Sequence, residues 1–351
     1  MSQTQRKSPA APRLVLAWIS AIVCLGSLGL AERVYTQSAQ DRNSWAPTLR
    51  GAAPGELQIL PVAGQVHVLI GAGGNITVQA GEDGVLLVDT GIASMSEKVL
   101  AAIREISTGP IRYIVNTTHH ADYTGGNATI AAAGDTIPFR EANYTAGPQG
   151  ALDISRASLI AYYTVLHRMS APTGETAVAP EGAWPDNTYS ISQKRLYFND
   201  EPVVIMHRPA NTDGNSFVLF RKSDVVSTGD ILDMTGFPVI DLEAGGSIQA
   251  EWEALNGLID VVVPKANAGG GTMVIPGRGG IVDHAEVVYY RDMIAIVRDR
   301  IQDMITRGLT LEQVKAAAPT REYEPLYGAT SGLGATESFV EDLYSPLTAQ
   351  D

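Results

Sequence analysis

Between Gln65 and Asp89 the chain alternates short apolar runs with glycine breaks: QVHVLI ends at GAGGN, ITVQA ends at GEDG, and VLLVD follows. Runs of this length, rich in Val, Ile and Leu and closed by turn residues, read as strands of a layered sheet. Apolar residues at helical spacing then occupy 94–106, with Ser94 placed to cap them, and a short strand at 111–115 runs into the polar stretch 116–127. The spacing predicts a helix over 151–169 and strands at 194–198, 203–206, 216–220 and 225–227. It continues with a helix near 248–260, a strand at 272–275, and helices over 283–307 and 310–318. Strands then helix, twice over, predict an α/β (α+β) fold with sheets packed between helices.

Charge and cysteine content narrow the function classes. The 351 residues carry 38 Asp and Glu against 25 Lys and Arg, a formal charge of −13. That average field repels a polyanion, and no basic cluster in the body overturns it, so no nucleic-acid partner is expected. The only cysteine, Cys24, lies in the N-terminal apolar run. The body therefore has neither disulfide nor thiolate ligand, and any metal there is held by His, carboxylate or neutral oxygen.

Arg6, Lys7 and Arg13 precede an uncharged run of 18 residues, Leu14 to Ala31. A basic start followed by an apolar run reads as an export signal, and Gly29 and Ala31 suit its cleavage. The run also reaches the lower limit of a membrane-spanning helix, about 17–25 residues. Residues 1–31 are thus a signal peptide or a membrane anchor, one hydrophobic helix ahead of the body. Either reading puts the body outside the cytoplasm, periplasmic or held at the membrane. Residues 32–57, with Pro47, Gly51 and Pro54, read as a linker, 58–320 as the folded domain and 321–351 as a C-terminal tail.

The stretch most informative about chemistry is 114–127, IVNTTHHADYTGGN, where a strand enters a loop holding two histidines, a carboxylate and a Gly-Gly-Asn turn. It resembles the metallo-β-lactamase superfamily, whose signature there is HxHxDH followed by a small-residue turn. The resemblance recurs in the family's order over about residues 58–300: LLVDTG at 86–91, PANTDGNSFVLF at 209–220, STGDIL at 227–232 and VIPGRGG at 274–280. It implies a four-layer αββα sandwich, two metal ions (often zinc) on seven ligand positions, and hydrolysis of β-lactams, thioesters, lactones or phosphoesters.

Most of those positions are altered. On this resemblance the first signature histidine is Thr118, the second is kept as His120, the aspartate is kept as Asp122, and the last histidine is Tyr123. The third-motif histidine is Asn211, the bridging aspartate is kept as Asp230, and the final histidine is Arg278. The surviving candidate ligands are His120, Asp122 and Asp230. His119 is out of register and is expected to point away from its neighbour. A guanidinium about 4 Å from a divalent ion costs roughly 8 kcal/mol at an effective dielectric of about 20. Arg278 is therefore expected to replace the second ion with a salt bridge to Asp122 and Asp230. Asp89 is read as structural, ordering its loop by accepting backbone N–H bonds.

Two function classes follow. The first is a non-catalytic homologue, a pseudoenzyme binding a membrane component, a protein complex or a small molecule in the old cleft, with no metal cofactor. The second is a metal-dependent hydrolase with one divalent ion, zinc, manganese or magnesium, on His120, Asp122, Asp230 and Asn211.

Overall fold

Period-two alternation along the strands decides which side chains go to which core. In chain order, β1 (Gln58–Ala63), β2 (Val66–Ile70), β3 (Ile76–Gly81), β4 (Gly84–Val88), β5 (Ile111–Val115), β6 (Ser158–Tyr162) and β7 (Asn187–Tyr189) form one seven-stranded sheet in that order. Its first four strands pair antiparallel and its last four parallel. The strands β8 (Gln193–Phe198), β9 (Glu201–His207), β10 (Ser216–Phe220), β11 (Val225–Ser227) and β12 (Met273–Ile275) form a second sheet, antiparallel except for the β11–β12 pair. The computed structural model describes residues 55–135, 156–171, 175–267, 270–330, 332 and 334–348. All of them belong to the second of two units, 1–49 and 50–351. The signal or anchor helix expected over 1–31, and nearly all of the linker over 32–57, lie outside the described residues.

One set of alternating positions, Val66, Val68, Leu86, Val88, Val203, Ile205, Val218 and Phe220 among them, fills the space between the sheets. The other set faces helices. Ile76, Val78, Val85 and Leu87 pack under α1 (Ser96–Ile106) and α3 (Asn127–Ala132), the latter preceded by the one-turn helix α2 (Ala121–Thr124). Val204, Met206, Phe217 and Val226 pack against α5 (Ile248–Ile259) and α6 (His284–Thr306). Each side chain so buried contributes about 1.5–3 kcal/mol. The expected four-layer αββα arrangement is therefore present, and its strand ends gather at one edge. Asp283 and Glu286 form a capping box at the start of α6, which begins within a residue of the helix expected over 283–307.

Two segments differ from expectation. The helix expected over 151–169 is strand β6 followed by a short helix, α4 (Tyr163–Met169), and residues 151–155 lie outside the described residues. β6 runs parallel between β5 and β7 with Leu159, Ile160 and Ala161 fully buried, so both of its faces are apolar and no alternation betrays it. Residues 321–351, read as a tail, include α8 (Glu324–Tyr327) and α9 (Thr336–Thr348), which follow α7 (Leu311–Ala317). Phe339, Val340 and Leu343 of α9 are buried in the outer core, and Phe339 stacks on Phe237 with centroids 4.8 Å apart.

Candidate metal centre

The segments leaving β4, β5, β11 and β12 converge on one edge of the sandwich. Asp89 follows β4 with φ 63°, a conformation an aspartate tolerates better than most side chains. Thr117, beyond β5, donates its backbone N–H (2.8 Å) and hydroxyl (2.6 Å) to the Asp89 carboxylate. Burial pushes that carboxyl up to about 8 while the Thr117 bonds pull the other way. Asp89 thus ties two strand ends together. Asn116 and Asn127 exchange side-chain amide bonds of 3.0 and 2.9 Å just behind it.

Beyond Thr117 the backbone bends at Thr117 and His119, so strand alternation does not continue. His119 therefore does not point away from His120: their ring centroids are 4.5 Å apart and both face Asp241. His119 Nε2 lies 3.8 Å from Asp241 Oδ2 and His120 Nε2 lies 3.2 Å from the same oxygen. The other nitrogen of His120, Nδ1, is 2.6 Å from Asp230 Oδ2. Burial alone would lower the His120 imidazole, yet Asp230 and Asp241 raise it to about 9. Burial and the charge on His120 lower His119 to about 4. Asp241 is fixed by its own backbone N–H on Asn211 O (2.9 Å) and by the Ala244 N–H on its carboxylate (2.9 Å).

The expected Arg278 bridge forms in part. Arg278 Nη2 pairs with Asp122, but its second carboxylate is Asp233, with Nε 3.5 Å from Oδ2, and Asp230 is taken by His120 instead. The backbone explains the choice: Arg278 bridges Asp233 as a strand neighbour, and Met234 N–H bonds Arg278 O at 3.1 Å. Arg278 also lies over the ring of Tyr123, 5.8 Å from its centroid. Tyr123 is fully buried, and its hydroxyl has no hydrogen-bond partner. Two glycines make room for it. A Cβ at Gly74 would sit 2.4 Å from the Tyr123 ring, and one at Gly277 would sit 2.5 Å from its hydroxyl.

A cavity of about 610 Å³ opens over these groups, walled by Ile231, Val239 and Ile240 beside the charged residues. The seven positions of the family pattern do not fit two ions. Thr118 is buried with an unpartnered hydroxyl, and Asp122 is engaged by a guanidinium. A different set fits one ion: the ligand atoms of His119, His120 and Asp241 lie within 4.8 Å of one another, and His119 Nδ1 is buried without a partner. Two imidazoles and a carboxylate are a donor set that zinc accepts. Asp122 is not among them. Asp241, Asp233 and Glu251, all lining the cavity, lie outside every motif that the sequence singled out. The VIDLEAGG segment carries only a turn signal to mark Asp241.

A model of the metallo-beta-lactamase superfamily matches residues 69–282. A search of curated proteins finds no match. Among solved structures, the stereoselective inverting sec-alkylsulfatase Pisa1 from Pseudomonas sp. superposes with a TM-score of 0.58 at 16% identity, over 83% of this chain and 50% of that one. A metallo-beta-lactamase from Pontibacter korlensis superposes with a TM-score of 0.50 at 13% identity, over 68% of this chain and 99% of that one. The chain spans about half the length of the alkylsulfatase.

Proposed function

Because the chain belongs to the metallo-β-lactamase superfamily, we propose that it is a hydrolase working with a single divalent ion, displaced from the family's usual positions onto His119, His120 and Asp241. The convergence of those three side chains carries the reading. An ion held there supplies Lewis acidity toward an acyl, sulfuryl or phosphoryl oxygen and acidifies a water. Asp230, 2.6 Å from His120 Nδ1, sets the tautomer and tilt of that ring, so the far nitrogen is the one presented. Arg278, anchored on Asp122 and Asp233, stands as a fixed positive charge in the cavity wall. The apolar wall of Ile231, Val239 and Ile240 limits water around the reacting bond. The structural neighbours, a sec-alkylsulfatase and a metallo-β-lactamase, set the substrate classes worth trying first.

A second reading, a non-catalytic binding protein, is favoured by one observation: the Arg278–Asp122–Asp233 cluster with Tyr123 closes the family's second metal position with the chain's own atoms. Metal analysis separates the two. Protein produced with added zinc or manganese and analysed by elemental mass spectrometry should carry about one equivalent. Asp241→Ala should abolish it while Asp122→Asn keeps it, and turnover of a secondary alkyl sulfate, a β-lactam or a carboxylic ester should follow the metal. A metal-free protein whose melting temperature ignores chelator sinks the hydrolase reading.

A further inference from the structure

Among the carboxyl groups lining the cavity, all but one have a cationic partner. Asp122 and Asp233 face Arg278, and Asp230 and Asp241 face His120. The exception is Glu251 on α5, which has no salt bridge among the described residues. It is only 1% exposed yet lines the cavity. Its carboxyl takes the backbone N–H of Asn211, and its Oε2 has no partner at all. The adjoining Asn211, 4% exposed, spends its side-chain N–H on Asp230 O at 3.3 Å and leaves Oδ1 buried and unpartnered. Tyr290, the one hydroxyl among the described lining residues, donates to Gly236 O and is not free to serve either oxygen.

Burial and the Asp230 charge push the Glu251 carboxyl well above the usual carboxylate range, so its ionised form, like the bare Asn211 Oδ1 beside it, is costly unless a bound group supplies a donor. An apolar ligand group would leave them bare. An anion would add repulsion to a wall already rich in carboxylates. We propose that Glu251 and Asn211 form a subsite for an N–H donor on the substrate, carried by a primary amine or a primary amide. The subsite discriminates against a carboxylate at that end of the molecule. Glu251 then acts in recognition, while the ion site acts on the scissile bond. This deepens the hydrolase reading, but its test reads binding rather than turnover, so either can fail without the other.

The test titrates the full chain calorimetrically with three probes of one size, butylammonium, butyramide and butyrate, at fixed ionic strength. Butylammonium and butyramide should each bind at least about fivefold more tightly than butyrate, since only they satisfy the buried oxygens. Glu251→Gln, which keeps an acceptor but no charge, should hold butyramide and lose the binding advantage of butylammonium. Glu251→Leu, of similar volume, should bring both down to the level of butyrate. Butyrate binding as tightly as butyramide overturns the proposal. So does a Glu251→Gln protein that binds butylammonium as the parent does, a readout that stands even if Glu251→Leu fails to fold.

Discussion

Asp230 Oδ2 lies 2.6 Å from Nδ1 of His120, and the opposite nitrogen of that ring lies 3.2 Å from Asp241 Oδ2. One imidazole thus spans two carboxylates. Without metal it holds a proton on each nitrogen, which is why its pKa rises to about 9 despite burial. A metal ion and that second proton compete for the same ring nitrogen. Zinc binding at pH 7 should therefore release about one proton per ion. Calorimetry in buffers of different ionisation enthalpy measures it, and a proton count near zero would place the ion away from His120.

The Arg278 cluster makes a separate prediction about stability. Arg278→Met strips the partner from Asp122 and Asp233, whose carboxyls burial already raises. With about a quarter of the Arg278 and Asp122 side chains exposed, the loss should be about 2–3 kcal/mol in urea unfolding, below the value for a fully buried pair. Combining it with Asp122→Asn should recover part of the loss, giving a coupling energy of about 1 kcal/mol or more. Strict additivity would mean that the pair is incidental.

Tyr123 predicts a change of opposite sign. Its hydroxyl is buried with no partner, so Tyr123→Phe removes a desolvated polar atom and keeps the ring under Arg278. Stability should stay level or rise by up to about 1 kcal/mol. A clear destabilisation would reveal a bond to that hydroxyl that the geometry does not contain.

The metal-free protein should lose stability as pH rises from about 6.5 to 9. Over that window the folded chain keeps a proton on His120 that the unfolded chain has released, so the contribution is complete below the unfolded pKa and gone above the folded one. Asp89, raised to about 8, acts in the same direction up to that pH. His119, lowered to about 4, acts in the opposite direction but only below 6.5. The His120 share is of the order of 2 kcal/mol. Thermal melts in chelator at pH 6.5 and 9 measure it, and a flat or rising profile contradicts the His120 geometry.

The fold was readable where strands alternate and glycines punctuate, as from β2 to β4 and from β8 to β11. It was not readable at β6, whose two buried faces erase the alternation, nor at α9, whose apolar stripe faces a helix far away in sequence. At the site, the motif order located the cleft: His120, Asp122 and Asp230 line it with Asn211 and Arg278, whereas Thr118 is buried behind them. Asp241 stayed hidden because its place depends on a loop held by Asn211 O, a long-range contact without a motif. His119 turns beside His120, against the strand pattern, because two bends cancel the alternation that would separate them. Arg278 was paired with one correct carboxylate and one wrong one, since Asp233 becomes its neighbour only through a backbone bridge.

A metal ion is borrowed from the surroundings and can be returned to them, whereas the guanidinium between Asp122 and Asp233 is part of the chain. On that side of the cleft the positive charge has no dissociation rate. It cannot be swapped for a competing ion, drawn off by a chelator or diluted away when metal is scarce. Half of the pocket's electrostatic layout is thus inherited with the polypeptide, and under the proposed function only the His119–His120–Asp241 half would respond to supply.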